Sequence, residues 1–329
     1  MAIVILDDIR QSQQRLRGVA ARTPLVGYTE NGRRLWFKPE SFQPIGSFKL
    51  RGAYNKIASL SEDERRRGVI TYSSGNHAQG VAYSARALGA KAVVVMPRGA
   101  PVIKIEATRA LGAEIVRVGP SSGERQAKAE ELAREYGYVI IPPFNDEKII
   151  AGQGTIGLEI VEDLPDVELV LVPVGGGGLI SGVATAVKLL RPRAKVIGVE
   201  PELAADAQAS LRAGRIVAWA GEQVGRTIAD GLRTQHVGEI NFEHIRRYVD
   251  DIVTVREDEI REAMRRLALG ARLVAEPSGA VTSAAFFFHG DELPRVEKTV
   301  AIISGGSVEP RLLASVIEGG WLEATVDGD

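Results

Sequence analysis

The four consecutive glycines Gly175, Gly176, Gly177 and Gly178 are the clearest chemical motif in the sequence. They follow the apolar run LVLVPV and precede a stretch that is typical of a helix. Because glycine has no Cβ atom, backbone N–H groups in such a run can converge on one anion, and a helix N-terminus favours negative charge. The run therefore fits a phosphate-binding turn. It equally fits a tight strand-to-helix turn, and it is neither a Walker A motif nor a Rossmann fingerprint.

Two further loops follow apolar segments in the same way. The loop SSGNH occupies residues 73–77, and the loop SGGS occupies residues 304–307. Ligands of open α/β sheets bind beyond the carboxyl ends of the strands, so three glycine-containing loops at strand ends together indicate one site. Each loop alone also fits a helix start that is capped by serine or asparagine.

Alternating strands and helices must position these loops. Apolar segments predict strands at residues 69–72, 91–96, 114–118, 138–141, 169–174, 195–199, 251–255 and 299–304. Helical stretches are predicted at residues 76–88, 101–111, 122–136 and 147–163, from the four glycines to about 190, at 257–272 and after Pro277. Strands this apolar are buried on both faces, and the alternation is typical of parallel sheets with right-handed crossovers. We therefore predict an α/β fold of two lobes, with mostly parallel sheets flanked by helices.

The composition excludes several classes of protein. The 41 basic and 42 acidic side chains among 329 residues give a net charge of −1, which argues against a nucleic-acid binder. The sequence has no cysteine, which excludes disulfides, thiolate catalysis, zinc fingers and iron–sulfur clusters.

The sequence predicts neither a membrane span nor a secretory signal. Its apolar runs are shorter than the ~18 residues that a span needs. Acidic residues near the N-terminus predict an amphipathic helix with Ile5, Ile9 and Leu16 facing inward, and we expect a cytoplasmic location without membrane contact.

Four motifs together carry a resemblance to a known family. They are the run SFKLRGA at 47–53, the loop SSGNHAQG at 73–80, the four glycines and the C-terminal SGG loop. In this order they resemble the serine/threonine dehydratases and serine racemases, which are pyridoxal-phosphate enzymes of fold type II. The resemblance extends from the first helix to about Val308 and implies a tryptophan-synthase-β-like fold. We expect residues 1–67 and 145–329 to form a large cofactor-binding lobe and residues 68–144 a small mobile lobe.

The resemblance implies that pyridoxal 5′-phosphate is the cofactor. Lys49 matches the lysine that forms the internal Schiff base, and desolvation or nearby cations must lower its pKa so that the amine is neutral. Phe48 would pack against one side of the cofactor, and Gly231 would lie close to the cofactor ring. Asn76 would hydrogen-bond the ring hydroxyl, and the four glycines would bind the phosphate.

Ser304 matches the family's partner of the pyridine nitrogen. A hydroxyl cannot supply the charge that keeps the ring protonated, so the cofactor would be a weaker electron sink and β-elimination would be favoured. The implied reaction converts serine or threonine to a 2-oxo acid and ammonia. Lys49, displaced by the substrate amine, would remove the Cα proton, and the β-hydroxyl would leave, protonated through the cofactor phosphate.

A loop at the start of a helix would hold the substrate carboxylate through Ser73, Asn76 and His77. His77 also fits the role of a histidine that packs the loop.

Two residues point to related activities. Ser74 matches the base of serine racemases on the face opposite Lys49, and it also fits a capping serine. Arg125 matches an arginine of serine racemases and β-hydroxyaspartate dehydratases, where a guanidinium pairs with a substrate carboxylate; it also fits a surface helix. The alternatives are therefore a serine racemase with side dehydratase activity and a threo-3-hydroxyaspartate dehydratase. A catalytically silent ligand-binding relative is a further alternative.

Glu200, Ala204 and Asp206 match a divalent-cation site of the same branch. Two carboxylates and the Ala204 carbonyl suit Mg²⁺, Ca²⁺ or Mn²⁺, and we expect such an ion to be structural. Members of the family are commonly dimers, so a homodimer is expected. The chain ends soon after the loop SGGS, which often reads SGGN in the family, and we expect no regulatory domain and no inhibition by isoleucine.

Overall fold

The structure is a computed structural model that describes residues 3–30, 32–73, 75–100, 102–119 and 121–319. The strands in these ranges are β1 (Val26–Glu30), β2 (Arg33–Pro39), β3 (Val69–Tyr72), β4 (Ala92–Pro97), β5 (Glu114–Val118), β6 (Val139–Ile140), β7 (Leu169–Pro173), β8 (Lys195–Pro201), β9 (Asp251–Val255) and β10 (Thr299–Ile303). The helices are α1 (Leu6–Arg15), α2 (Lys49–Ala58), α3 (Glu62–Arg67), α4 (Asn76–Ala87), α5 (Val102–Ala110), α6 (Ser122–Tyr136), α7 (Glu147–Asp163), α8 (Gly178–Leu190), α9 (Asp206–Ala213), α10 (Gly221–Val224), α11 (Glu239–Tyr248), α12 (Glu257–Arg266), α13 (Pro277–Phe288) and α14 (Pro310–Glu318). Shorter 3₁₀ turns lie at Glu40–Phe42, Glu202–Ala204 and Asp230–Leu232, and a π-helical turn lies at Leu267–Ala271.

The strands form a larger and a smaller sheet. The larger has the order β1-β2-β10-β7-β8-β9, in which β1 runs antiparallel to β2 and the other neighbours are parallel. The smaller has the order β5-β4-β3-β6 with parallel neighbours. The predicted α/β fold with mostly parallel sheets is therefore confirmed. The strands of the smaller sheet all lie within residues 68–144, while the lobe boundaries and the mobility of the small lobe stay predictions.

The central strands of the larger sheet are buried on both faces, as their apolar sequences predict. Leu171 and Ala301 face the core beneath α13, whereas Val170 and Val300 pack on the opposite side with α8. Burial of both faces fixes the register of these strands, since a slip of one residue would exchange the two cores. The carboxyl ends of β3, β7 and β10 each precede one of the three predicted glycine-containing loops.

A buried network of charges anchors α2. The Arg51 guanidinium, whose side chain is 1% exposed, contacts Glu40 at 2.8 Å and Glu159 at 2.6 Å. The Lys38 amine contacts the same Glu159 carboxylate at 2.6 Å. Two positive and two negative groups thereby satisfy one another away from water. The network ties α2, which begins at Lys49, to β2 and α7.

Three local features differ from the sequence-based expectations. Ile5 is 55% exposed, because it is the N-cap of α1 and its extended backbone turns its side chain away from the helix face that buries Ile9; Leu16, the C-cap, is buried as predicted. The helix predicted over 257–272 ends at Arg266 and continues as a π-helical turn. The strands β1 and β2 were not predicted, although the dipeptide Asn31-Gly32 between them is a hairpin signal. Among the described residues, no helix has the length and apolarity needed to cross a membrane.

Candidate active site

A cavity of about 630 Å³ lies at the carboxyl ends of β3, β7 and β10. The residues predicted to bind cofactor and substrate that line it are Phe48, Lys49, Ser73, Asn76, His77, Arg125, Gly175, Gly176, Gly177, Gly178, Gly231 and Ser304. Ser74 lies outside the residues that the structure describes. Three separate loops thus contribute to one cavity, as their positions after parallel strands predict.

Lys49 is the first residue of α2, and its side chain points into the cavity. The segment before it runs beside the loop 304–307, where the Phe48 N–H donates to the Ser304 carbonyl at 3.0 Å. The Lys49 amine donates to the Pro143 carbonyl at 2.8 Å and lies 5.3 Å from the centre of the Phe48 ring. Burial lowers the pKa of Lys49 to about 8, against the opposing effect of the Glu276 carboxylate. A substantial fraction of the amine is therefore neutral and nucleophilic near physiological pH.

The four glycines form the turn between β7 and α8. Gly177 is the N-cap of α8 and has a φ of +90°, a backbone conformation that residues with a side chain rarely adopt. Gly178 begins this helix of 13 residues. The run therefore forms both the tight turn and the helix N-terminus that the sequence indicated, with its backbone lining the cavity. Such a turn can bind a phosphate through N–H groups and the helix dipole.

The loop 73–77 leads from β3 into α4. His77 is 3% exposed, and its Nε2 lies 3.0 Å from the Ile141 carbonyl. Because a carbonyl can only accept, Nε2 carries a proton and donates. Burial, together with the nearby Lys49 charge, lowers the pKa of His77 to about 3. The imidazole is neutral, and this bond favours the loop-packing role over a contact with the substrate carboxylate.

Ser304 is buried at the end of β10, and its hydroxyl lies 3.4 Å from the Ser278 carbonyl. The Ser278 hydroxyl in turn accepts a hydrogen bond from the Gly231 N–H at 2.9 Å. Ser278 lines the cavity but was not among the predicted residues. No sequence signal separates it from an ordinary serine at the start of a helix.

Glu276, at the N-cap of α13, is a second cavity residue that the sequence did not reveal. Glu276 is only 5% exposed, and its Oε1 accepts a hydrogen bond from Asn76 Nδ2 at 2.7 Å. Burial and then the negative charge of Asp230 raise the pKa of Glu276 to about 8. In the sequence, a glutamate before a proline is typical of the start of a helix and does not indicate a cavity residue. Only the structure shows that the Glu276 side chain lines the cavity.

Charged side chains surround the outer part of the cavity. Arg125 on α6 is partly buried, and burial lowers its pKa. Lys104 on α5 forms an ion pair with Asp230, in the 3₁₀ turn Asp230–Leu232. This pair joins a helix of the smaller sheet to a loop of the larger one, directly beside the cavity.

The predicted cation ligands lie away from the cavity. Glu200 at the end of β8 accepts hydrogen bonds from the Ala207 and Gln208 N–H groups at 3.0 and 2.8 Å. Neither carboxylate oxygen of the buried Asp206 has a hydrogen-bond partner among the described residues. Burial, with Asp206 close by, raises the pKa of Glu200 well above its usual range, and burial raises that of Asp206 to about 7.

This donor set is small, since the described residues contain no cluster of three or more His, Cys, Asp or Glu able to hold a metal. Two adjacent buried carboxylates nevertheless need a proton or a cation, and their oxygen atoms suit a hard divalent ion.

Comparisons with known proteins place this chain in a family. The sequence matches the family described as pyridoxal-phosphate dependent enzyme over residues 16–305. L-threonine ammonia-lyase of Thermotoga maritima is 46% identical over 327 residues, which is 98% of this chain and 80% of that protein. L-threo-3-hydroxyaspartate ammonia-lyase of Saccharomyces cerevisiae is 40% identical over 324 residues, which is 97% of this chain and 98% of that protein.

A solved structure supports the same assignment. The structure of maize serine racemase matches with a TM-score of 0.90 and 36% identity, over 97% of this chain and 98% of that one. The family that the four sequence motifs predicted is thereby confirmed. This chain belongs to the family of pyridoxal-phosphate dependent enzymes, in fold type II.

Proposed function

We propose that this protein is an ammonia-lyase that removes the β-hydroxyl group of L-threonine or L-serine and yields a 2-oxo acid and ammonia. One observation carries the proposal: the Lys49 amine, with its pKa lowered to about 8, shares a cavity with the turn of four glycines. The relation to the Thermotoga maritima L-threonine ammonia-lyase supports the same class of reaction.

The residues of the cavity fit pyridoxal 5′-phosphate. The N-terminus of α8 and the four glycines would hold its phosphate, Lys49 would bind its aldehyde carbon, and Ser304 would face the ring nitrogen. When bound, this cofactor supplies an electron sink for the charge that develops at the substrate Cα. The Ser304 hydroxyl places no negative charge at the ring, which favours elimination over reactions that need a long-lived carbanion.

Lys49 would act as the general base. An amine with a pKa of about 8 can take up the Cα proton and release it again near physiological pH. The electron pair of the Cα–H bond forms the Cα=Cβ bond as the Cβ–O bond breaks. The Lys49 ammonium passes the proton that it took from Cα to the departing oxygen, which leaves as water. Hydrolysis of the resulting enamine then gives the 2-oxo acid and ammonia. The Pro143 carbonyl, at 2.8 Å, orients the amine for this transfer.

The loop before α4 would hold the substrate carboxylate. Ser73 and Asn76 line the cavity at the N-terminus of this helix of 12 residues, where N–H groups and the helix dipole favour an anion. His77 contributes to this loop through its hydrogen bond to Ile141.

The first experiment is to load the protein with pyridoxal phosphate, reduce it with borohydride and map the modified peptide by mass spectrometry. We expect the label on Lys49, together with 2-oxo acid and ammonia production from L-threonine and L-serine. Lys49→Ala should abolish both, whereas Lys91→Ala, at an exposed lysine of the smaller lobe, should retain both. A label on a different residue, or a colourless loaded protein, would contradict the proposal.

A serine racemase with side dehydratase activity is the second candidate. It is favoured by Ser74 and by the similarity to maize serine racemase. Incubation with L-serine separates the two activities, because racemisation yields D-serine and elimination yields pyruvate. Faster formation of D-serine would reverse the order of the two candidates. The threo-3-hydroxyaspartate dehydratase alternative is favoured by Arg125 in the cavity and by the yeast relative.

The same family resemblance supports a structural divalent cation and a homodimer. Glu200, Asp206 and the Ala204 carbonyl would hold Mg²⁺, Ca²⁺ or Mn²⁺, which would satisfy the carboxylate oxygens of Asp206. Light scattering tests the dimer, whose expected mass is twice the 35.3 kDa of one chain. The cytoplasmic location stays a prediction.

A further inference from the structure

Glu276 and Asn76 connect the two sheets inside the cavity. They are 200 residues apart in sequence, and their side chains meet at 2.7 Å. Asn76 begins α4, which follows a strand of the smaller sheet, and Glu276 precedes α13, which packs on the larger sheet. Both residues line the cavity that contains Lys49.

The backbone holds the Glu276 carboxylate in place. The backbone N–H of Glu276 donates to the carbonyl of Gly305 at 3.0 Å, within the loop 304–307. A Cβ atom on Gly305 would lie 2.5 Å from Glu276 Oε1 and 3.2 Å from Asn76 Nδ2. Only glycine at position 305 therefore leaves room for this pair, and the carboxylate has little freedom to move.

The bond determines which way the Asn76 amide faces. Glu276 Oε1 accepts this hydrogen bond from Asn76 Nδ2, so the NH₂ group of Asn76 points toward Glu276 and its carbonyl oxygen points away. The same nitrogen carries a second N–H, which can donate to a ligand oxygen in the cavity. A half-turn of the amide would bring its carbonyl oxygen to that position and remove the donor.

We propose that Glu276 is a positioning residue that orients the Asn76 amide as a donor to the ring oxygen of the bound cofactor. The inference rests on the proposed function, in which Asn76 contacts that oxygen. Glu276 acts through Asn76 and takes no proton from the substrate. Removal of the Glu276 carboxyl should therefore weaken cofactor binding and alter the cofactor's spectrum. Neither effect should be larger than the effect of removing the Asn76 amide itself.

The test measures the dissociation constant for pyridoxal phosphate and the visible absorption spectrum of the loaded protein. Glu276→Ala should weaken binding at least about 10-fold, as expected for the loss of a buried hydrogen bond that leaves its donor without a partner. Asn76→Ala should weaken it to a similar extent. The double variant should bind no more weakly than Asn76→Ala alone, since both changes remove one unit.

Glu276→Gln keeps the volume and an acceptor oxygen, so it should bind pyridoxal phosphate within about 3-fold of the unchanged protein. Glu259→Gln is the matched control, because Glu259 is also 5% exposed but contacts His289 and Arg256 outside the cavity. It should leave affinity and spectrum unchanged. If circular dichroism shows that Glu276→Ala is unfolded, Glu276→Met, which fills the space without an acceptor, takes its place.

The pH titration of the cofactor absorbance is a further measurement that a purely structural role would not change. Lys49, Asp230 and Lys104 are the other charged groups that influence this region. They are unchanged in Glu276→Ala and Asn76→Ala, but Glu276→Ala also removes the carboxylate that raises the pKa of Lys49. Glu276→Gln removes the same charge and keeps the acceptor oxygen. The difference in titration between Glu276→Ala and Glu276→Gln should therefore have the same direction as the shift in Asn76→Ala.

Three results would overturn the inference. They are an unchanged affinity and spectrum in Glu276→Ala, losses that add in the double variant, and a loss in Glu276→Gln as large as in Glu276→Ala, which would indicate an effect of charge alone. Failure of the unchanged protein to bind pyridoxal phosphate would overturn the proposed function as well. Binding by the unchanged protein, with normal binding by Glu276→Ala, would overturn this inference only.

Discussion

The amine of Lys49 and the carbonyl oxygen of Pro143 are 2.8 Å apart. This contact ties the first residue of α2 to the segment between β6 and α7, so the amine is held inside the cavity. Water is the better environment for its charged form, and burial therefore shifts the balance toward the neutral form. A fixed amine that is partly neutral near pH 8 has the two properties that a nucleophile and general base need.

Incorporation of pyridoxal phosphate should depend on pH through Lys49. The neutral amine reacts, and its fraction rises about tenfold per pH unit below the pKa and levels off above it. We expect the rate of chromophore formation to level off above about pH 8. Stopped-flow absorbance measures this rate. A rate that continues to rise toward pH 10.5, the ordinary lysine value, would show that the amine is not desolvated.

Arg125 should control the preference for a substrate with a second carboxylate. A guanidinium that binds this group contributes about 10- to 100-fold through charge-assisted hydrogen bonds. Arg125→Ala should lower kcat/KM for threo-3-hydroxyaspartate by that factor and change kcat/KM for L-threonine less than about 3-fold. Arg134→Ala, at an exposed position of the same helix, is the control. Equal losses for both substrates would show that Arg125 does not recognise the carboxylate.

Arg51 should be important for stability. Arg51→Ala leaves Glu40 and Glu159 as buried charges without their shared partner, which should lower the free energy of unfolding by about 3–5 kcal/mol. Urea denaturation of the cofactor-free protein measures the change. Arg22→Ala removes the exposed contacts with Glu162 and Asp163 and should cost less than about 1 kcal/mol. Similar losses in the two variants would contradict the importance of burial.

The pair Glu200 and Asp206 should make stability depend on pH and on divalent ions. Folding raises both carboxyl pKa values, so the folded state binds protons more tightly than the unfolded chain. Without a cation, stability is greatest below the unfolded pKa values and falls as pH rises through about 7, the folded value of Asp206. A cation should restore it, so EDTA should lower Tm more at pH 8 than at pH 6.

Asp206→Asn removes one negative charge and should abolish this effect of EDTA. Scanning fluorimetry with Mg²⁺, Ca²⁺ or Mn²⁺ added back compares the ions. Asp163→Asn, on the exposed end of α7, should respond to EDTA as the unchanged protein does. An unchanged Tm after EDTA at both pH values would argue against a bound cation.

The sequence predicted much of the fold because its central strands are apolar on both faces. The bounds predicted for β5, α6 and α7 agree with the structure, since caps and apolar runs define them locally. The strands β1 and β2 lie at the edge of the larger sheet, and β2 begins with two exposed arginines. Because β2 mixes exposed charged residues with apolar ones, its sequence resembles a loop. Only the hairpin signal Asn31-Gly32 indicates a strand there.

The site was predictable only to the extent that motifs mark it. The glycine turn, Lys49 and Ser304 lie in short patterns that can be recognised locally. Glu276 has no such pattern, because its role depends on Asn76, 200 residues away. Likewise, no residue near Arg51 in the sequence predicts its ion pair with Glu159. Long-range pairs of this kind are fixed by sheet order rather than by neighbouring residues.

The ion pair between Lys104 and Asp230 spans the rim of the cavity and joins the two sheets. Any separation of Lys104 from Asp230 breaks it, and the attraction between two solvent-accessible charges weakens as dissolved salt screens them. The strength of this connection between the two sheets therefore depends on the ionic strength of the surroundings, through a contact that takes no part in the proposed reaction.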